Sequence, residues 1–327
     1  MIVILGPTAS GKTSLAARVA FEFDGEIISA DSRQLYKGMD IGTGKDLGDY
    51  IIQGKKIPCH LIDIVEPGYE YNLFEFQQDF LKTYREILER NKLPILCGGT
   101  GLYIEAVLKG FHLPPVDNDP EFENSLRLKT CDELIKMLQN LRPLHNTTDI
   151  LDKKRLIKAI EIATLSQGNT FPVIPKTHPL NPPFFPREEE APSTQGEGEF
   201  IKYKIFGIRF EREAIRKRIT ERLERRIQSG LIEEVQKLSD QGLTPDQLKF
   251  YGLEYKFVTL YLQHEITFNE MFRWLNIAIH QYAKRQMTWF RKMERSGLTI
   301  NWIDGDLEME QKIIAIKKFF LSGKTFL

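Results

Sequence analysis

Apolar and polar residues follow two different rhythms along this chain. Val3, Ile4 and Leu5 form a short apolar run that stops at Gly6, the pattern of a strand buried on both faces and entering a tight turn. After Thr13, the stretch SLAARVAFEF places apolar residues at helical spacing. Residues Glu26 to Ala30 predict a second short strand that ends at Asp31. A third strand is predicted over Pro94–Cys97, after the helical FEFQQDFLKTYREILERN and before the glycine-rich Gly98–Gly101 that opens the next helix. Strands alternating with helices predict an α/β fold, a parallel sheet covered by helices on both faces. From Phe111 the texture turns polar and helical, which predicts a small all-helical insertion domain over residues 111–170. Residues 171–200 hold seven prolines and a PREEE charge run and are read as a mobile loop. A strand resumes at IFGIRF, and mostly helical texture follows to about Lys292. Residues 201–327 are therefore expected to complete the core begun over 1–110.

Length adds little to this picture: 327 residues suggest about two domains, with roughly three quarters of the unfolded surface buried. Charge adds more. Lys+Arg and Asp+Glu both number 45, so no global field draws the chain to nucleic acid or a membrane surface, and any such face must be local. Cys59, Cys97 and Cys131 are an odd number, widely spaced, with no CxxC pair, which argues against a disulfide framework or a structural zinc site and suits a reducing, cytoplasmic setting. The apolar run before Gly6 is too short for a signal peptide or a membrane span. A soluble protein without membrane contact is expected.

The chemistry begins at Gly6-Pro7-Thr8-Ala9-Ser10-Gly11-Lys12-Thr13, a GxxxxGK[ST] loop that follows a strand and opens a helix. Its backbone N–H groups and the helix N-terminus suit phosphate oxygens, Lys12 neutralises a terminal phosphate, and the Thr13 hydroxyl is placed for Mg²⁺. Such a loop identifies a diphosphate site and not a reaction. A small-molecule kinase stays open; a GTPase is disfavoured because the nearest string to NKxD is Asn91-Lys92-Leu93-Pro94. Asp31 follows the second strand, at the sheet edge where ligands bind, and either takes a proton there or caps the next helix. Thr100, in the second glycine-rich turn, either donates to a phosphate or belongs to a structural turn. Between Lys202 and Arg226, ten Lys/Arg face four Glu, and Arg218, Arg222 and Arg225 share one helical face. With AKRQMTWF farther on, these basic segments offer phosphate contacts and stacking surfaces for RNA, or a solvated helix face. His60 and His280 have no partner at metal-ligand spacing and are read as structural.

In order along the chain, GPTASGKT, DSRQLYKGMDIGTGK, PCHLIDI, GGTGLY, GLIEEV and AKRQMTWF together resemble the tRNA dimethylallyltransferase family, over the whole length. The resemblance implies a P-loop NTPase-like sheet whose helical insertion grips a tRNA anticodon stem-loop. It implies transfer of a dimethylallyl group from dimethylallyl diphosphate to N6 of the adenosine 3′-adjacent to the anticodon, by a monomer. Gly6–Thr13 would hold the diphosphate with Mg²⁺ on Thr13, and Asp31 would be the general base. Ser32, Arg33 and Gln34 would flank the extruded base, Gln34 pairing with an adenine edge. Thr100 would contact the diphosphate or the transferring group, and Arg212 with Arg218 would steady the pyrophosphate. Lys154, Arg155, Leu156, Ile157 and Lys158 match the family's Q-R-x-x-R element that touches tRNA, and Lys284, Arg285 and Gln286 match its AKRQ element. Departures are Cys59 for a histidine, Lys158 for an arginine, Glu123 for an arginine, and an altered G-Y-K element at Tyr251-Gly252-Leu253-Glu254-Tyr255-Lys256. An adenylate isopentenyltransferase acting on free AMP, ADP or ATP is the competing reading, ahead of a small-molecule kinase or an inert RNA-binding relative.

Overall fold

The computed structural model describes residues 1–111, 120–141, 153–166 and 201–321. The proline-rich segment 171–200 lies outside the described residues. The chain divides into two compact units. Among the described residues, the first unit holds 1–110 and 201–321, and the second 111, 120–141 and 153–166.

The first unit is built on a six-stranded sheet. Its strands are β1 (Ile2–Leu5), β2 (Gly25–Ser29), β5 (Cys59–His60), β6 (Leu93–Gly98), β7 (Lys204–Arg209) and β8 (Ile300–Asp304). A separate antiparallel pair, β3 (Ile51–Ile52) and β4 (Lys55–Lys56), precedes β5. The sheet order is β5-β2-β6-β1-β7-β8 and every pairing is parallel. The chain therefore fills one side of β1 first and the other side later, so the loop after β1 lies at the switch point where open α/β sheets bind ligands. The strands expected at Val3–Leu5, Glu26–Ala30, Pro94–Cys97 and between Lys202 and Phe210 are all present, as β1, β2, β6 and β7. Two were not foreseen: β5 has only two residues, and INWID in β8 is too short and mixed to stand out from its helical flanks.

Side-chain alternation explains why both faces are covered. Val3, Leu5, Ile28, Leu96 and Ile205 point into one apolar cluster, Ile2, Ile4, Ile27, Ile95, Phe206 and Ile208 into the other. The first cluster is completed by α2 (Leu73–Glu89), α3 (Gly101–Leu108), α7 (Arg212–Gln228), α8 (Leu231–Asp240), α9 (Pro245–Phe250), α10 (Leu253–Leu262) and α11 (Phe268–Arg295). The second is completed by α1 (Lys12–Glu22) and α12 (Met309–Leu321). The long α11 starts at a capping box, Thr267 with Glu270, and buries Met271, Leu275, Ile279, Ala283, Gln286, Phe290 and Met293 along one stripe. Gln286 is the polar member of that stripe.

The second unit packs α4 (Pro120–Arg127), α5 (Cys131–Leu141) and α6 (Lys153–Ser166) around Leu126, Leu134, Leu138, Leu156 and Ile160. No helix among the described residues is long and apolar enough to cross a membrane.

Candidate active site

Four loops meet at the carboxyl ends of β2, β6, β1 and β7, which are neighbours in the sheet. The loop after β1 runs from Gly6 into α1. Gly11 caps that helix with φ 77°, a conformation glycine adopts freely. No side chain caps α1 and no acid lies in its first turn, so its free N–H groups and positive end face the cleft. Lys12 opens the helix. Burial lowers the pKa of its ammonium, and the Asp31 carboxylate is the strongest of the charges that oppose this shift.

A cleft of ≈ 810 Å³ opens beside this loop. Its walls include Lys12, Thr13, Asp46, Asp49, Arg218, Arg222, Arg225 and Arg226. Helical spacing on α7 delivers the arginines to one side. Arg218 Nε donates to Ala9 O at 2.9 Å, and its guanidinium lies 4.7 Å over the Phe210 ring. Arg222 donates to Thr8 Oγ1 at 3.3 Å and pairs with Asp46. Arg226 pairs with Glu254 at 3.0 Å, and burial lowers its pKa. Arg212, at the exposed start of α7, is not among the cleft's lining residues.

The loop between β2 and β3 forms the opposite wall. Glu234 holds it: its carboxylate accepts from the backbone N–H groups of Asp40 (2.8 Å), Ile41 (2.7 Å) and Gly42 (2.9 Å), and from the Tyr255 hydroxyl at 2.7 Å. Lys45, fully buried, pairs with Asp40 at 2.7 Å and with Asp63. Asp46, Asp49 and Glu234 were not singled out from sequence; the GLIEEV motif that contains Glu234 was the available signal.

Asp31 and Thr100 come together at the next pair of strand ends. Asp31 Oδ1 accepts from Arg33 N at 3.1 Å, and Thr100 Oγ1 accepts from Ser32 N at 3.1 Å. Arg33 extends over the half-exposed Phe250 ring, 5.4 Å away. The glycines of GGTG serve close packing. A Cβ on Gly98 would overlap the Ala30 backbone, and one on Gly101 would overlap the Trp289 indole.

Three expectations change on this geometry. Gln34 is buried with both ends of its amide engaged, accepting from Ser29 Oγ and donating to Gly44 O at 3.0 Å each. It anchors the β2–β3 loop from a buried position, with each end of the amide on a protein partner. Gln286, expected to touch RNA, is likewise buried, accepting from Thr8 N at 2.8 Å and donating to Gly99 O at 2.9 Å. Leu156 and Ile157 belong to the apolar core of the second unit, because helical periodicity turns them inward. Lys158 of that unit is partly exposed and pairs with Glu161 at 3.1 Å; the side chains of Lys154 and Arg155 lie outside the described ones. Lys284 and Arg285 are exposed on α11. Of the departures, Glu123 is neutralised by Arg127 at 2.7 Å, and the half-buried Cys59 thiol, beside Tyr50, is pushed up to about 12 by desolvation. His60 meets Glu26 at 2.7 Å.

The family model described as IPP transferase matches residues 34–293. A tRNA dimethylallyltransferase 2 of Phocaeicola vulgatus is 50% identical over 315 residues, 96% of this chain and 95% of the relative. A tRNA dimethylallyltransferase 1 of Porphyromonas gingivalis is 50% identical over 323 residues, 99% of this chain and 100% of the relative. Among solved structures, the tRNA isopentenylpyrophosphate transferase of Bacillus halodurans is similar with a TM-score of 0.66 at 30% identity, covering 98% of this chain and 95% of the other.

Proposed function

The chain belongs to the tRNA dimethylallyltransferase family, and from that premise we propose how its own residues carry dimethylallyl transfer to tRNA. The observation that supports the scheme is the convergence of a phosphate loop, a cationic helix face and one carboxylate at neighbouring strand ends. Dimethylallyl diphosphate places its diphosphate against Gly6–Thr13, with Lys12, Arg218 and Arg222 around it. The allylic end points toward Asp31 and Thr100.

The reaction exchanges one bond for another. N6 of the adenine bonds to the allylic carbon as the carbon–oxygen bond breaks, and that electron pair leaves with the diphosphate. The N6 proton passes to the Asp31 carboxylate, which sharpens a weakly nucleophilic exocyclic amine as the bond forms. Positive charge from Lys12 and the arginines stabilises the leaving group where its charge grows. Thr100 holds the Ser32 backbone and thereby the Asp31 turn. The target adenosine is the one 3′-adjacent to the anticodon, where a loop base is turned out at a cost of only a few kcal/mol.

The donor set also fits Mg²⁺. Thr13, Asp46 and Asp49 line the cleft, and the described residues contain no cluster of three or more His, Cys, Asp or Glu that would enclose a metal. Mg²⁺ keeps waters and takes substrate phosphate oxygens, so the Thr13 hydroxyl with the diphosphate would hold it. When bound, it neutralises charge on the diphosphate.

RNA contacts are assigned to the exposed Lys284 and Arg285 and to Lys158 of the second unit. The test is single-turnover transfer from dimethylallyl diphosphate to an anticodon stem-loop, beside AMP and ATP. Transfer to the stem-loop alone is expected. Transfer to AMP or ATP instead would make the chain a free-nucleotide enzyme.

A further inference from the structure

Gln286 occupies a core position. Its neighbours along the buried stripe of α11 are Ile279, Ala283, Phe290 and Met293, and it is itself 6% exposed. Burying an amide is costly unless both of its ends find partners. Here both do, and both partners are backbone groups of loops that form the active site. Oε1 takes the N–H of Thr8 inside the phosphate loop, and Nε2 gives to the carbonyl of Gly99 in the GGTG turn. The fit is close: a Cβ on Gly99 would overlap Nε2. An aliphatic residue at this position would satisfy the stripe's packing but strip the part-buried Thr8 N–H and the buried Gly99 O of these partners.

We propose that Gln286 is a positioning residue that clasps the phosphate loop to the GGTG turn. It sets the spacing between the donor's diphosphate and the Asp31–Thr100 side of the site. The same helix thus has two roles on two faces. Lys284 and Arg285 point outward, where RNA is read, and Gln286 points inward, holding together the two loops between which the transferred group passes. The clasp acts through Thr8 and Gly99 and does not touch substrate. This inference rests on the reading of the phosphate loop as the donor's diphosphate site.

The test compares Gln286→Met, which keeps the volume and removes both hydrogen bonds, with Lys284→Ala. Inorganic diphosphate binding is measured by calorimetry, and KM for a stem-loop RNA and kcat are measured by prenyl transfer. Gln286→Met is expected to weaken diphosphate binding and lower kcat by about tenfold each, the scale of one buried hydrogen bond, with KM for RNA nearly unchanged. Lys284→Ala should show the reverse split. Diphosphate affinity unchanged in Gln286→Met, or a rise in KM for RNA alone, would overturn the clasp. Should the Met variant fail to fold, Gln286→Glu serves: it keeps the acceptor for Thr8 N–H and sets a second acceptor against Gly99 O. The same loss of diphosphate affinity is expected, and wild-type affinity overturns the proposal. If the wild-type chain binds diphosphate but modifies no RNA, the functional reading fails while the variant's diphosphate affinity still decides the clasp. If it binds no diphosphate, both fall.

Discussion

Asp31 and Lys12 sit on adjacent loops, and the Asp31 carboxylate opposes the burial that lowers the Lys12 pKa. Replacing Asp31 by Asn removes the proton acceptor and keeps the Asx turn to Arg33 N. Single-turnover transfer should fall by about 10²- to 10⁴-fold while inorganic diphosphate still binds. Near-normal turnover would remove Asp31 from the mechanism. Lys12 carries a pH signature. Burial lowers its pKa in the free protein, and a bound diphosphate favours the ammonium and raises it again. Diphosphate affinity should therefore weaken as pH rises through the lowered pKa. Binding on that alkaline side should take up a proton, measurable by calorimetry in buffers of different ionisation enthalpy. Absence of uptake at every pH would show Lys12 fully charged before binding.

At the scale of elements, the joints between helices, strands and loops carry the site. α3 approaches α11 so closely at Gly101 that a methyl group would displace Trp289. Gly101→Ala should cost about 1–3 kcal/mol in denaturant unfolding and shift the tryptophan emission; an unchanged spectrum would mean the indole does not seat there. The short β5 depends on side chains because its ladder has only two residues. Glu26 beside it is buried, which opposes ionisation, but hydrogen bonds from Arg90 and His60 outweigh burial and lower its pKa. A lowered carboxyl pKa gives stability above the ordinary value that is lost as pH falls through the lowered one. Glu26→Gln should therefore flatten the acid side of the stability profile. A profile parallel to the wild type would show that this cluster adds nothing to acid sensitivity.

At the scale of the molecule, the proposed function divides the work between the two units. Leu156 lies in the core of the second unit and is fully buried, and Leu156→Ala should cost about 2–5 kcal/mol there. RNA KM is expected to rise while diphosphate affinity, housed in the first unit, stays at wild type. A matching fall in diphosphate affinity would show that the two units are not energetically separate. Lys158→Ala should raise RNA KM with little change in unfolding, since its Glu161 partner is an i,i+3 contact of modest strength.

Strand and helix rhythms made the α/β class legible because a sheet covered on both faces demands apolar runs such as Val3–Leu5 and Ile27–Ile28. The phosphate loop was legible for a related reason: its glycines and lysine act through backbone conformation and charge within eight consecutive residues. The places of Asp31 and Thr100, just past the ends of β2 and β6, could be read from the strand pattern. Other roles were decided by tertiary structure alone. Gln34 and Gln286 each look like polar residues free to meet a ligand, yet Gln34 is spent on Ser29 and Gly44, and Gln286 on Thr8, 278 positions away. Leu156 and Ile157 sit inside a basic motif and prove to be core. A hydrogen bond between residues so far apart leaves no periodic trace in sequence. The cost of burying an unpaired amide or carboxylate governs these side chains, and that cost exists only once the chain has closed around them.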